Sequence, residues 1–153
     1  MTTCKVSVMF DLVIIMFREL LDLQGRYPLA VFSHLSALYI LGLEEEKEIM
    51  ITTVYGYHNP KLNLYKVFYV KKEVLNLGLV KINLFGGVLK CYDLERTVCD
   101  LIRGKKIINL KKKQYLLKKY LRKCNKEKLL GYAKVLDMEK IVVCYLKYLY
   151  DFD

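Results

Sequence analysis

The residues with the greatest chemical reach in this chain are five cysteines, Cys4, Cys91, Cys99, Cys124 and Cys144, and two histidines, His34 and His58. A zinc site needs ligands in closely spaced pairs. No two of these cysteines stand in a Cys-x-x-Cys spacing, and two histidines complete no template. The odd number of thiols argues against a disulfide framework. The sequence therefore predicts buried, reduced cysteines in a cytoplasmic protein, with no metal or other cofactor. Ser33 precedes His34, but neighbours on a helix point in different directions, so the dipeptide does not read as a nucleophile and its base. There is no Gly-rich phosphate loop and no Gly-x-Ser-x-Gly elbow, and the carboxylates are scattered. No catalytic set emerges, and the expectation is a protein that is not an enzyme.

The charge pattern says more. Lys and Arg total 26 against 16 Asp and Glu, and the excess sits in one place. From Arg103 to Lys128 there are 12 basic residues and a single acid, Glu127, while the rest of the chain is near neutral. A charged block on a neutral body implies a face for an anionic partner, and equally describes a solvated face that maintains solubility. Within it Leu110, Leu117, Leu121 and Cys124 form an apolar stripe, with Tyr115 and Tyr120 interleaved. Lys105, Lys106, Lys111, Lys112, Lys118, Lys119, Arg122 and Lys123 are the candidates for gripping a phosphate backbone without reading bases.

These residues need elements to place them, and 153 residues with 54% hydrophobic content suffice for one compact core. The apolar spacing of Phe10, Val13, Ile14, Phe17, Leu20 and Leu21 predicts an amphipathic helix over 6–23. Its apolar run is too short to span a bilayer, which takes about 20 residues, and Asp11 interrupts any signal peptide. Ser33 is placed to cap a short helix that Gly42 stops. Strands are expected near 49–54, 65–70, 80–85 and 88–92. The last two are predicted to form a hairpin turning on Gly86-Gly87, with Leu84 facing Leu89 and Ile82 facing Cys91 on the core side. Asp93 caps a helix to Arg103, with Leu94, Val98, Leu101 and Ile102 as its buried stripe and Arg96 and Asp100 paired on an exposed side. Three helices follow, 110–123, 126–136 and 138–150. The class is α+β: a small, mainly antiparallel sheet packed with helices and a C-terminal helical part. The divisions read as an N-terminal helix and linker at 1–25, an α+β core at 26–103 and a basic helical part at 104–153.

Two segments resemble a known family. Ser33-His34-Leu35-Ser36-Ala37-Leu38-Tyr39-Ile40-Leu41-Gly42-Leu43 is similar to the Ser-His-x-Thr-Ala-Leu-x-x-x-Gly-Leu motif of AbiEi-type abortive-infection antitoxins. Tyr92-Asp93-Leu94-Glu95-Arg96-Thr97-Val98-Cys99-Asp100-Leu101-Ile102-Arg103 resembles that family's second signature. Gly56-Tyr57 and Leu77-Gly78-Leu79 fall in the family's order between them. The match runs over about residues 26–103 and is loose beyond.

The resemblance implies an antitoxin of a type IV toxin–antitoxin pair, in phage defence, countering a nucleotidyltransferase-like toxin. Such antitoxins usually also act as DNA-binding transcriptional regulators through an N-terminal winged helix. Only one helix precedes Ser33 here, so the likeness is to the C-terminal antitoxin domain alone. Thr53-Val54-Tyr55-Gly56 also departs from the family's usual Val-Pro-x-Gly. His34, Arg96 and Asp100 are the candidate partner-binding surface; the alternative is that Asp93, Glu95, Arg96 and Asp100 cap and brace a helix. The second functional reading is a non-specific nucleic-acid-binding module that uses the basic block at 103–128.

Overall fold

The structure, a computed structural model, describes residues 2–151, with side chains from 8 to 149. Helix α1 (Thr2–Arg26) leads to the two-residue strand β1 (Val31–Phe32) and the short helix α2 (His34–Ile40). Strand β2 (Met50–Val54), a 3-10 turn at Pro60–Leu64, β3 (Lys66–Val70) and the short α3 (Lys72–Leu75) follow. The hairpin of β4 (Leu79–Leu84) and β5 (Gly87–Tyr92) precedes four helices: α4 (Leu94–Arg103), α5 (Leu110–Leu121), α6 (Lys126–Val135) and α7 (Glu139–Asp151). The α+β class is as the sequence predicts.

The sheet order is β3-β2-β1-β5-β4. It is mixed, which corrects the expectation of a mainly antiparallel sheet: β1 pairs antiparallel with β2 and parallel with β5, β2 and β3 run parallel, and β4 and β5 are antiparallel. The cause is β1, whose two residues carry no periodicity to read. Inserted at the centre, it separates the two outer pairs.

The hairpin forms, but its turn is Phe85-Gly86, both left-handed (φ +48° and +76°). That geometry suits a two-residue loop. Leu84 therefore pairs with Gly87, Ile82 with Leu89 and Val80 with Cys91, two residues off the predicted register. A slip of two leaves every side chain on its face. Leu89 and Cys91 are accordingly buried, with Val80, Ile82 and Leu84 packed against the same core.

Alternate residues of β2 feed cores on opposite sides of the sheet. Met50 packs with Leu35, Leu38, Val98, Leu101 and the helices α5 to α7. Its neighbour Ile51 packs with Phe32, Leu89, Leu20 and Leu23. Gln24 clamps α1 to the body: its Nε2 donates to the Ala30 carbonyl at 2.9 Å, and its Oε1 accepts from the Lys90 amide at 2.9 Å. The apolar stripe expected on α1 is buried only in its second half. Leu20 is buried and Phe17 and Leu21 are partly so, whereas Phe10 and Val13 are exposed.

Asp93 caps α4 as expected, its carboxylate accepting from the Arg96 amide at 2.9 Å. Asn109 and Asn125 do the same for α5 and α6. Leu117, Leu121 and Cys124 are buried, but Leu110 is exposed and Leu116 and Tyr120 take core positions instead. Among the described residues no helix is long and apolar enough to cross a membrane.

Candidate functional site

Ser33 and His34 do meet, against the expectation that they point apart. His34 opens α2 with φ +53°, a left-handed conformation rare for a residue with a Cβ. That backbone twist turns the imidazole back, so that Nδ1 lies 2.9 Å from the Ser33 hydroxyl. The Thr52 hydroxyl donates to Ser33 Oγ at 2.8 Å, so Ser33 links the imidazole to β2. The ring lies 4.1 Å from that of Phe68. Burial lowers the His34 pKa from 6.5 to about 4; Asp100 opposes the shift, while Arg103 and Arg96 reinforce it. Ser33 is fully enclosed, so its hydroxyl positions the ring rather than meeting a substrate.

Arg96 and Asp100 pair as predicted, but in the interior. Arg96 is 0% and Asp100 2% exposed, and with His34 at 3% the expected partner surface is an interior layer. The exposed side of α4 does not exist, because α2, α5 and α6 all pack around this helix. Arg96 Nε donates to both Asp100 oxygens at 3.2 Å. Its Nη1 donates to the carbonyls of Val74 (2.7 Å) and Leu77 (3.0 Å), and its guanidinium lies over the Tyr92 ring at 4.3 Å. Arg103, half in solvent, adds a second cation to Asp100 at 3.1 Å. Among the described residues, the buried atoms Arg96 Nη2, Thr53 Oγ1 and Thr97 Oγ1 have no hydrogen-bond partner.

Above this layer opens a cleft of about 530 Å³. His34 and Asp100 reach its lining from below, Arg103 stands at one side, and Phe68, Tyr55 and Tyr69 form an aromatic wall. The Tyr55 and Tyr69 rings are nearly parallel, with centroids 6.3 Å apart, and Tyr55 is exposed. Ring faces, a guanidinium edge and a neutral imidazole are groups that recognise and hold. Nothing in the sequence pattern pointed to Tyr55 or Tyr69, which meet only through the parallel pairing of β2 and β3.

The eight basic candidates divide. Lys112 pairs with Glu46 and Lys119 with Glu44, the latter at 2.9 Å, so the acidic turn at 44–48 lies against α5 and neutralises part of it. That turn was visible in the sequence, but its proximity to α5 was not. Tyr120 is buried and donates to the Leu43 carbonyl at 2.7 Å, which removes it from any binding face. Lys105, Lys106, Lys111, Lys118 and Lys123 remain exposed, as does Tyr115. Lys118 and Arg122 edge a groove of about 750 Å³ between α5 and α7, floored by Leu117, Leu121 and Leu149.

Cys91, Cys99 and Cys124 are buried and free, as expected, while Cys144 is exposed; Cys4 lies outside the described side chains. Among the described residues no group of three or more His, Cys, Asp and Glu is placed to hold a metal ion. No protein-family model matches the chain, and no curated protein matches it.

Proposed function

We propose that this protein is a binding protein of the antitoxin type. In this reading it counters a nucleotidyltransferase-like toxin of a type IV toxin–antitoxin pair during abortive phage infection, and it acts in the cytoplasm by holding a partner, without bond-making chemistry of its own. One observation carries the reading. The two motif segments, Ser33–Leu43 and Tyr92–Arg103, are far apart in sequence yet fold into one unit, with Leu35 and Leu38 packed on Val98 and Leu101. His34 from the first motif and Asp100 and Arg103 from the second line one cleft. Two signatures that merely capped separate helices would have no reason to converge on a shared recess. Co-expression with a nucleotidyltransferase-like toxin of a type IV pair from the same genome tests the proposal. Growth resumes if it is right; continued arrest with both proteins soluble overturns it.

A second reading, a nucleic-acid-binding regulator, is favoured by Lys111, Lys118 and Lys123 of the basic block, which are exposed and form no ion pair among the described residues. It calls for binding that weakens steeply with salt and discriminates little between sequences. A labelled duplex and single strand that both stay free at low salt would sink it.

A further inference from the structure

The first half of α1 stands clear of the body. Val8, Met9, Phe10, Leu12, Val13 and Ile15 are between 45% and 69% exposed, although all lie within two helical turns of one another. Asp11 is the one charged residue among them, and a helix segment this apolar is normally buried. We propose that it is the self-association surface of the protein, and that its occupant is the same segment of a second copy, packed antiparallel.

Val8, Leu12 and Ile15 follow the spacing of a two-helix seam, and all three are exposed because this end of α1 precedes the core-packed turns of Leu20, Leu23 and Gln24. Place a two-fold axis between residues 13 and 14. Leu12 then packs against Ile15 of the other copy, and Ile15 against its Leu12. On one flank Met9 meets Met16 of the other copy. On the other flank Asp11 meets Arg18, and by symmetry this ion pair occurs twice. Asp11 and Arg18 are both exposed, and neither has an ion-pair partner among the described residues. Glu19, which lies opposite Val8 of the other copy, has its charge met by Lys47.

The alternatives are repelled. A slip of one heptad one way sets Asp11 against Asp11, and the other way sets Arg18 against Arg18. A parallel pairing places Glu19 against Glu19 in the seam. Charge that favours one register and penalises its neighbours is how short helical seams choose their geometry. A seam of this length is small for a permanent interface, so the association is reversible.

Sedimentation of the full chain from about 1 to about 100 µM tests the idea. The expected mass rises with concentration towards twice 18.1 kDa. Asp11→Arg and Arg18→Asp each place like charges opposite one another and weaken the homodimer by about tenfold or more. Mixed in equal amounts, the two variants restore both ion pairs and associate with each other. Leu12→Glu abolishes association while circular dichroism of the body is unchanged. A wild-type chain that stays monomeric at about 100 µM overturns the proposal. So does a dimer that ignores all three substitutions, or a mixture of the charge variants that associates no better than either alone. These readouts are masses, so they stand or fall apart from the antitoxin reading.

Discussion

Arg96 and Asp100, one helical turn apart on α4, form an ion pair from which solvent is excluded, with 0% and 2% of their side chains exposed. Two charges taken out of water need each other and further hydrogen bonds to be tolerated. Here the guanidinium also satisfies the carbonyls of Val74 and Leu77, so it ties α4 to the chain segment after β3. Arg96→Met leaves a buried carboxylate facing only Arg103 and strips two carbonyls of a donor. The expected cost is about 3–5 kcal/mol in denaturant unfolding. The double variant Arg96→Met with Asp100→Leu removes both charges together. It should cost less than the two single changes added, and a purely additive result would mean the pair is not energetically coupled.

His34 gives the fold an acid sensitivity. In the native protein its pKa is lowered to about 4, whereas the unfolded chain titrates near 6.5. The unfolded state therefore takes up a proton first as the pH falls. The stability contributed by the neutral ring is complete above about pH 6.5, is lost between there and about pH 4, and changes no further below. At about 1.4 kcal/mol per pH unit the loss approaches roughly 3 kcal/mol. His34→Asn keeps a residue that tolerates positive φ but cannot titrate. Urea midpoints measured from pH 7 to pH 4 should fall more steeply for the wild type than for this variant. Parallel slopes would assign the acid response to other groups.

Gly78 and Gly42 share nearly the same left-handed backbone but not the same surroundings. Gly78 has φ +77°, and a Cβ there would lie 2.6 Å from Arg96 Cβ and 3.0 Å from an Asp93 carboxylate oxygen. Gly42 has φ +73° with nothing within 4 Å of the same position. Gly42→Ala should cost about 1 kcal/mol, for the backbone alone. Gly78→Ala adds a collision with the start of α4, and its destabilisation should be about twice as large or more. Unfolding free energies of the two variants side by side separate the contributions, and equal losses would show that α4 yields freely.

The class of the fold and most element positions were legible because periodicity and caps are local. The 2-residue spacing through Val80–Leu84 and the Asp93 cap on α4 each declared themselves within a few residues. The sheet topology was not legible, since it depends on β1, a strand of two residues. The hairpin register failed for a subtler reason. The sequence offered two glycines for a turn, and the chain placed the turn on Phe85 and Gly86, with a bulky residue left-handed. Arg96 and Asp100 read as a surface pair because helix spacing shows that two side chains can meet, not whether other helices will cover them. The site follows the same rule. His34 was singled out, but its contact with Ser33 depends on a positive φ that no composition reveals, and Tyr55 and Tyr69 become neighbours only through strand pairing.

The cysteines make a direct check on burial. Burial pushes the Cys91, Cys99 and Cys124 thiols up to about 12, which suppresses the reactive thiolate near neutral pH. Cys144 is exposed. Brief alkylation of the native protein, read by peptide mapping, should label Cys144 well before Cys91, Cys99 and Cys124, and similar rates at these positions would show that the core opens readily.

The basic face, if it meets nucleic acid, should do so unevenly. Lys111 and Lys118 stand seven residues apart on the outward side of α5, both exposed, so they present their charge together. Lys112 belongs to the same helix, but its ammonium is already held by Glu46. A cation matched by an acid on its own chain gains little by meeting a phosphate, because it must first give up the partner it has. Replacing Lys111 and Lys118 by Ala should weaken binding of a short labelled duplex at low salt by about tenfold and flatten its salt dependence by about two phosphate contacts. Replacing Lys112 and Lys119 by Ala makes the same change in net charge but should weaken binding less, since those ammonium groups are already committed to Glu46 and Glu44. Fluorescence anisotropy across a salt series distinguishes the two outcomes. Equal losses from both substitutions would mean that the protein's net charge, rather than this face of α5, attracts the duplex.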